Sequence, residues 1–304
     1  MSILRLENVS KHFAATPVID DISLEVPTGS VFGFIGVNGA GKTTTMKMVL
    51  GLLKPDSGNI FIGDERVRFG QTPTNRYVGY LPDVPEFYNY MRPKEYLRLC
   101  GQIVGLSDEV IRHRSNELLD LVGLRKVHRK IGGFSRGMKQ RLGVAQALIN
   151  EPRLLICDEP TSALDPIGRK EILGILQQIR GKTTVVFSTH ILSDVERICD
   201  HVAVLDHGKI VMDGTLSQIK SQHKVDGLRM EFRTTDDLTR FCKELPQKFQ
   251  TNKESSQVEL TLHVTDVTEA QRAILRTFSD CDILPSSFEL LEPSMENLFL
   301  EVVQ

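Results

Sequence analysis

The sequence predicts an α/β fold: a parallel β-sheet flanked by helices, followed by a smaller α/β domain. Three observations lead to this prediction. A glycine-rich loop connects an apolar run at residues 31–35 to a helical segment. A second apolar run, residues 154–157, ends in two acidic residues, as buried strands do at the carboxyl edge of a parallel sheet. A composition shift at residues 221–227 precedes a new series of strands and helices.

The overall composition narrows the class of protein. The 304 residues fit one large domain or two smaller ones, and a chain that is 40% hydrophobic with net charge -2 lacks the basic excess of general nucleic-acid binders. The five cysteines form no C-x-x-C pair, which favours a reducing environment over a zinc site or disulfides. The N-terminus lacks a signal-peptide pattern, and no apolar run approaches the ~20 residues of a membrane span.

Before the glycine-rich loop, alternating residues 3–9 predict an edge strand, and residues 18–26 predict its neighbour. Phe13 lies between them, on a predicted loop, where its ring either stacks on an adenine base or packs in the core. Residues 60–63 and 77–81 predict two further short strands.

The loop itself, residues 36–43, fits the phosphate-binding pattern G-x-x-x-x-G-K-[ST] and precedes a helix predicted over residues 42–53. Its glycines let phosphate approach the backbone, and the helix start adds positive dipole. In this pattern Lys42 contacts the β- and γ-phosphates and the Thr43 hydroxyl binds Mg²⁺. The sequence therefore predicts a nucleoside triphosphate, bound by Gly36, Val37, Asn38, Gly39, Ala40, Gly41, Lys42, Thr43 and Thr44.

A helical insertion is predicted where the periodicity changes, at residues 93–124, with Ser107 as an N-cap. Its expected apolar positions are Leu97, Val104, Val110, Leu118, Leu119 and Val122. Ser135 is predicted to cap the next helix. A second phosphate could bind at that helix start, although capping alone accounts for a serine there.

Two acids follow the strand at residues 154–157. Asp158 suits a contact with Mg²⁺, direct or through water, and Glu159 suits a general base that orients a water on the γ-phosphate. A solvated acidic turn is the alternative. A helix is then predicted to about residue 180, and the β-branched residues 183–188 predict a strand with His190 beyond its end. His190 is either structural or a hydrogen-bonding partner of the γ-phosphate.

Residues 201–206 and 209–213 predict a hairpin. Beyond the composition shift, the expected order is strand, helix, two strands, helix, strand and a final helix with Ser294 as a possible cap. Residues 258–264 alternate clearly between apolar and polar side chains, which predicts a strand with one buried face.

These motifs together resemble those of the ATP-binding subunits of ABC transporters. Residues 36–43 resemble Walker A, and residues 154–159 resemble Walker B with the catalytic glutamate. Residues 134–138 resemble a variant of the family's signature, residues 162–165 resemble its D-loop, and His190 resembles its switch histidine. The resemblance covers about residues 3–220.

The resemblance implies a P-loop NTPase fold: a parallel-sheet core with an antiparallel β subdomain and a helical insertion at about residues 84–150. The implied domains are residues 1–220 for ATP binding and residues 225–304 for an accessory α/β domain. The implied ligands are ATP and Mg²⁺. The implied catalytic residues are Glu159, His190 and Lys42; further ATP contacts come from Phe13, Ser135, Gly137 and Asp165; the metal contacts come from Thr43, Asp158 and Asp83.

The chain departs from the family's motifs at two sites. Phe134, Arg136 and Met138 replace the usual signature residues, and Asp83 stands where the family has a glutamine that contacts Mg²⁺. A carboxylate can hold Mg²⁺, but its charge and reach differ. An acidic residue at this place, and the segment at residues 293–301, are similar to the subgroup that pairs with separate exporter permeases for drugs, antibiotics or lipids.

The resemblance implies an ATP-driven head-to-tail homodimer that sits peripherally on the cytoplasmic face of the cell membrane and binds membrane-spanning permease subunits. No nucleic-acid partner is expected. The alternative is a soluble ABC ATPase that clamps a cytosolic assembly or a nucleic-acid complex. A single phosphate loop and the lack of sustained heptads between Gly41 and Ser135 disfavour the nucleic-acid classes. The C-terminal domain is either a packing and dimer-stabilising module or a regulatory one.

Overall fold

The computed structural model describes residues 1–14, 16–70, 73–222, 227–249, 253–264, 266–291 and 295–303. They form two compact units, Met1–Leu216 (the first unit) and Ser217–Val302 (the second unit). The boundary adjoins the predicted composition shift, of which residues 223–226 lie outside the described residues, as does Ser294. Within the described ranges, no helix has the length and apolar character to cross a membrane.

The first unit contains ten strands and six α-helices among its described residues, and a seventh helix, α7, starts at its last residue and continues into the second unit. The strands are β1 (Ser2–Phe13), β2 (Thr16–Pro27), β3 (Val31–Ile35), β4 (Ser57–Ile62), β5 (Glu65–Arg66), β6 (Val78–Leu81), β7 (Leu154–Asp158), β8 (Thr184–Thr189), β9 (His201–Asp206) and β10 (Lys209–Thr215). The helices are α1 (Lys42–Val49), α2 (Pro93–Ile103), α3 (Asp108–Leu121), α4 (Arg136–Ala147), α5 (Pro166–Ile179), α6 (Leu192–Ile198) and α7 (Leu216–Gln222).

The antiparallel sheet has the strand order β2-β1-β4-β5. The prediction of an edge strand at β1 is wrong, because Leu4 pairs with Val26 on one side and with Ile62 on the other. The predicted loop position of Phe13 is also wrong, because Phe13 is the last residue of β1 and pairs with Thr16. Its side chain is 49% exposed, which excludes the core alternative.

The second sheet has the order β10-β9-β3-β8-β7-β6, and only β10 runs antiparallel to its neighbour. β3, β7 and β8 are buried along their whole length, as expected for parallel strands covered on both faces. The predicted hairpin forms between β9 and β10, with His207 and Gly208 both at positive φ in the turn. This sheet places the ends of β3, β8, β7 and β6 along one edge.

Two helical predictions need correction. α1 ends at Val49, earlier than the sequence predicts, because Gly51 adopts φ 68° just beyond it and stops the helix. The insertion contains two helices, α2 and α3, and the Ser107 hydroxyl accepts a hydrogen bond from the Val110 N–H at 3.4 Å, which confirms the N-cap. Val104 and Val110 are exposed, whereas the other four predicted apolar positions are buried.

The second unit follows the predicted order of elements. These are β11 (Gly227–Glu231), α8 (Thr235–Glu244), β12 (Lys253–Ser255), β13 (Glu259–His263), α9 (Val267–Asp280), β14 (Ser287–Leu291) and α10 (Met295–Val302). The sheet order β12-β13-β11-β14 is that of a split βαβ fold. Leu260 and Leu262 point into its core, as the alternation predicts, and the rings of Phe241 and Phe278 pack there at 4.4 Å between centroids.

Candidate functional site

The predicted site residues of the sheet converge because their strands are neighbours. Ile35 of β3 lies beside Thr189 of β8, and Ser188 of β8 lies beside Asp158 of β7. The segments that follow these strands therefore leave the sheet side by side. This edge is where open parallel sheets bind ligands.

The phosphate loop requires glycine at two positions. A Cβ on Gly36 would lie 2.4 Å from the Leu205 carbonyl oxygen. Gly41 has φ 112°, and a Cβ there would lie 2.5 Å from Ile19 Cδ1. No side chain caps α1, and its backbone ladder begins with the Thr45 N–H, which donates to the Gly41 carbonyl at 2.9 Å. The first-turn N–H groups of α1 therefore remain available to an anion.

Lys42 is buried at the start of α1, with only 6% of its surface exposed. Its Nζ donates to the carbonyl oxygens of Gly36 at 2.7 Å and Val37 at 3.2 Å, and lies 3.3 Å from Glu159 Oε1. These contacts fold the ammonium group back over the loop. A cation held there, beside free N–H groups, suits a phosphate oxygen.

A cavity of about 190 Å³ lies over the loop. It is smaller than the ~300–1,000 Å³ typical of sites that enclose a whole ligand. Its size fits phosphate groups and leaves the rest of a nucleotide uncovered. Its lining residues are Val18, Asn38, Gly39, Gly41, Lys42, Thr43, Thr44 and Glu159.

A larger cavity, of about 720 Å³, lies against α2 and α3. Charged side chains dominate its lining, and two of them, Arg98 and Asp108, form an ion pair at 3.1 Å. It contains none of the predicted catalytic residues. The predicted catalytic residues Lys42 and Glu159 line the smaller cavity, which is therefore the candidate site.

Thr43 and Asp158 meet beside the loop. The Thr43 hydroxyl donates to Asp158 Oδ2 at 2.8 Å, and the Ser188 hydroxyl donates to Asp158 Oδ1 at 2.6 Å. Hydroxyl and carboxylate oxygens are the donors that Mg²⁺ prefers, so this pair fits the ion. No group of three or more His, Cys, Asp or Glu side chains among the described residues could hold a metal. Magnesium here would complete its shell with water and phosphate oxygens.

Glu159 and His190 form the second polar pair. Glu159 adopts the left-handed φ of 48°, and its N–H donates to the Ser188 carbonyl and hydroxyl oxygens, both at 3.1 Å. Its Oε2 lies 2.9 Å from His190 Nδ1. The Glu159 side chain is 14% exposed and that of His190 is 45% exposed. The carboxylate is thus oriented from two sides and still reachable by water.

Four other predicted residues lie away from the loop cavity. Ser135 caps α4 by accepting from the Met138 N–H at 3.3 Å, and Asp165 caps α5 by accepting from the Gly168 N–H at 2.7 Å. Ser135 and Asp165 are exposed, Gly137 is half-buried, and Phe13 is half-exposed at the end of its strand. In the described chain none of the four lines the cavity over its own loop.

Asp83, the third predicted metal contact, has two polar partners. Its Oδ1 accepts a hydrogen bond from the Ser162 hydroxyl and lies 3.5 Å from Arg136 Nη2. The carboxylate is therefore engaged by the D-loop and by the first residue of α4.

The sequence analysis missed a buried network next to the site. Asp194 of α6 accepts from the Thr161 hydroxyl at 2.7 Å and from Arg169 Nη2 at 2.8 Å. Thr161 is 1% exposed and Asp194 is 4% exposed. The sequence does contain a signal for this network. Asp194 lies four residues after His190 and next to the apolar Val195, so it falls on the side of a helix that faces the core.

Comparisons with known proteins show what this chain is similar to. A family model described as "ABC transporter" matches residues 19–162, and one described as "ATP-binding protein DrrA1-3-like, C-terminal domain" matches residues 214–303. The ABC transporter ATP-binding protein YxlF of Bacillus subtilis (strain 168) is 36% identical over 307 residues, 99% of each chain. The bacitracin transport ATP-binding protein BcrA of Bacillus licheniformis is 32% identical over 308 residues, which cover 99% of this chain and 97% of that protein.

A solved structure of an ATP-binding subunit of an ABC transporter is also similar to this chain. It shares 34% of its sequence at a TM-score of 0.65, and the match covers 73% of this chain and 93% of that one.

Proposed function

The chain belongs to the ATP-binding subunits of ABC transporters, a family of ATPases, and on that premise we propose that it powers a separate exporter permease through ATP-dependent dimerisation. One observation carries the proposal. Lys42, Asp158, Glu159 and His190 gather at the phosphate loop, whereas Ser135 caps a helix away from it. The catalytic groups therefore surround the phosphate loop from one side. A second subunit would cover the other side of the bound ATP.

The contacts at the loop support a role for each of these residues. Lys42 and the first-turn N–H groups of α1 hold the β- and γ-phosphates. Thr43 and Asp158 would hold Mg²⁺, and the ion would supply positive charge to the phosphate oxygens. Glu159 takes a proton from the attacking water, and His190 keeps the carboxylate aimed at that water. Phe13, half-exposed at the end of β1, offers its ring to the adenine base.

The second half of the site comes from another copy of the chain. Ser135 and Gly137 start α4 with exposed or half-buried surface, so a partner's γ-phosphate can approach the N-terminus of that helix. Asp165 is exposed at the start of α5 in the same unit, and we place it at the shared interface. Such an arrangement is reciprocal, which gives a two-fold dimer that holds two ATP molecules. Hydrolysis then cleaves the γ-phosphate that both subunits contact. The released phosphate leaves, and the dimer opens.

Two similarities support the class of transporter and the partner. BcrA is described as a bacitracin transport protein, and the second family model matches nearly the whole second unit. Both favour a permease that exports a drug, antibiotic or lipid. The chain then works on the cytoplasmic face of the membrane, bound to that permease. Its second unit either stabilises the dimer or regulates it, and deleting the residues after about 224 while measuring ATPase rate and dimerisation separates these two roles.

Purification from detergent-solubilised membranes of the native host tests the proposal. The tagged full chain carries Glu159→Gln, so that ATP is bound and not consumed, and the Lys42→Ala chain serves as the control. We expect a multi-span membrane protein to co-purify, together with vanadate-sensitive ATPase activity in the wild-type complex. Recovery of RNA or a soluble assembly instead would favour the clamping ATPase and reject the transporter role.

A further inference from the structure

Two departures from the family's motifs meet in space. Asp83 follows β6, and Arg136 is the first residue of α4; Arg136 Nη2 lies 3.5 Å from Asp83 Oδ1. The same oxygen accepts the hydrogen bond of the Ser162 hydroxyl, from the segment between β7 and α5. One carboxylate oxygen therefore connects three separate parts of the first unit.

The connection reaches the candidate base. The Ser162 N–H donates to the Glu159 carbonyl oxygen at 3.1 Å. The side chain of Ser162 is thus held by Asp83, and its main chain is held by Glu159. A short path of two hydrogen bonds runs from Asp83 to the residue that faces Lys42 and His190.

The exposure of the pair limits what it can do. The side chains of Asp83 and Arg136 are 47% and 48% exposed, and exposed ion pairs contribute little to fold stability. Such a contact can break and re-form without unfolding the chain. The contact therefore suits a role in positioning neighbouring groups more than a role in fold stability. The positive charge of Arg136 offsets the negative charge of Asp83.

We propose that Asp83 is a positioning residue: it holds Ser162, and through Ser162 it fixes the main chain at Glu159, with Arg136 as its counter-charge. In this role Asp83 is not a ligand of Mg²⁺. The inference rests on the proposed function for the assignment of Glu159 as the base.

The test compares steady-state ATPase kinetics and Mg²⁺ titrations of the full chain carrying Asp83→Ala, Ser162→Ala or both changes. Each single variant is expected to lower kcat on the order of tenfold, as the loss of a hydrogen bond to a charged group does. The double variant is expected to match the single ones, because both changes remove the same contact. KM for ATP and the Mg²⁺ concentration for half-maximal rate stay at the wild-type values.

Two conservative variants separate positioning from general damage. Ser162→Thr keeps the hydroxyl and retains most of the rate. Asp83→Asn keeps an acceptor for Ser162 but loses the charge that faces Arg136, so its rate falls less than that of Asp83→Ala. The double variant Arg136→Gln/Asp83→Asn is then expected to lose no more kcat than Asp83→Asn alone.

Either of two results overturns the inference. One is an additive loss of kcat in the Asp83→Ala and Ser162→Ala double variant. The other is a raised Mg²⁺ requirement in Asp83→Ala that Ser162→Ala lacks, which would make Asp83 a metal ligand. In both cases the proposed function still stands if the wild-type chain hydrolyses ATP and the Glu159→Gln variant does not. A wild-type complex without ATPase activity overturns both.

Discussion

His190 Nδ1 lies 2.9 Å from Glu159 Oε2, and this contact joins the ends of two neighbouring parallel strands. The other carboxylate oxygen of Glu159 faces Lys42 Nζ at 3.3 Å. The three side chains are thus arranged around one point above the phosphate loop. The three residues are far apart in the chain, and the order of the strands in the sheet brings them together.

Replacing Glu159 by glutamine should nearly abolish turnover. The amide keeps the size of the side chain but cannot take a proton from water, and removal of a general base costs ~10²–10⁴-fold in rate. ATP binding should persist, so steady-state hydrolysis and ATP binding are measured side by side. The same change at the exposed Glu109 of α3 serves as the control. A Glu159→Gln variant that hydrolyses ATP at the normal rate removes Glu159 from the role of base.

Lys42→Ala should lose nucleotide affinity. The change removes the one ammonium group that hydrogen-bonds to the loop carbonyls of Gly36 and Val37 in the described chain. Equilibrium binding of a labelled ATP analogue measures the effect, and we expect a loss on the order of a hundredfold, as for a buried charge-assisted contact. Lys47→Ala, on an exposed position of the same helix, should bind normally. Equal affinity of the Lys42→Ala and wild-type chains would refute this role.

Thr43→Val should raise the Mg²⁺ concentration needed for half-maximal ATPase rate, whereas Thr43→Ser should not. Valine removes the hydroxyl that donates to Asp158 Oδ2, and serine keeps it. A Mg²⁺ titration at saturating ATP measures the difference. Two superimposable titration curves for the valine and serine variants would show that the Thr43 hydroxyl does not bind the ion.

Thr161→Val should destabilise the first unit by about 1–3 kcal/mol, because it leaves Asp194 Oδ2 buried without a donor. Urea unfolding followed by tyrosine fluorescence measures this. The five tyrosines lie between residues 77 and 96 and the chain has no tryptophan, so the signal reports the first unit alone. Thr161→Ser keeps the hydroxyl and should be close to the wild-type stability. Equal midpoints for the valine and serine variants would contradict the account of the network.

Phe241→Ala should destabilise the second unit by about 3–5 kcal/mol, as expected for deletion of a fully buried aromatic ring. Hydrogen exchange of the backbone amides measures the effect, and the amides of β11 and β13 should lose protection. The unfolding transition seen by tyrosine fluorescence, which reports the first unit, should stay unchanged. Leu275→Ala, at a position of α9 that is 55% exposed, is the matched control. Loss of the tyrosine transition in Phe241→Ala would show that the two units unfold together.

Motifs with fixed spacing were the part of the site that sequence could predict. The loop at residues 36–43 and the acids Asp158 and Glu159 follow apolar runs, and that local pattern is enough to place them at a sheet edge. The second unit was predictable for a similar reason, because its helices and strands alternate with clear periods. In each case the information lies within a few neighbouring residues.

Contacts between distant segments could not be predicted. The hydrogen bond from Ser162 to Asp83 and the network around Asp194 depend on how the insertion and α6 pack, which no local pattern encodes. The edge-strand prediction for β1 is wrong because the alternation of its residues is the same whether one or two strands pair with it. The sequence predicts a loop at Phe13 because this residue lies between two predicted strands, yet β1 continues up to it.

The mass of the Glu159→Gln chain in solution, with and without ATP and Mg²⁺, tests the central claim that one chain holds half a site. Light scattering should show the 34.2 kDa monomer without nucleotide and about twice that mass with it. Adding Ser135→Glu should abolish the dimer, because a carboxylate would face the partner's γ-phosphate. A chain that stays monomeric with ATP bound, or a dimer that forms equally well with Ser135→Glu, would contradict the account.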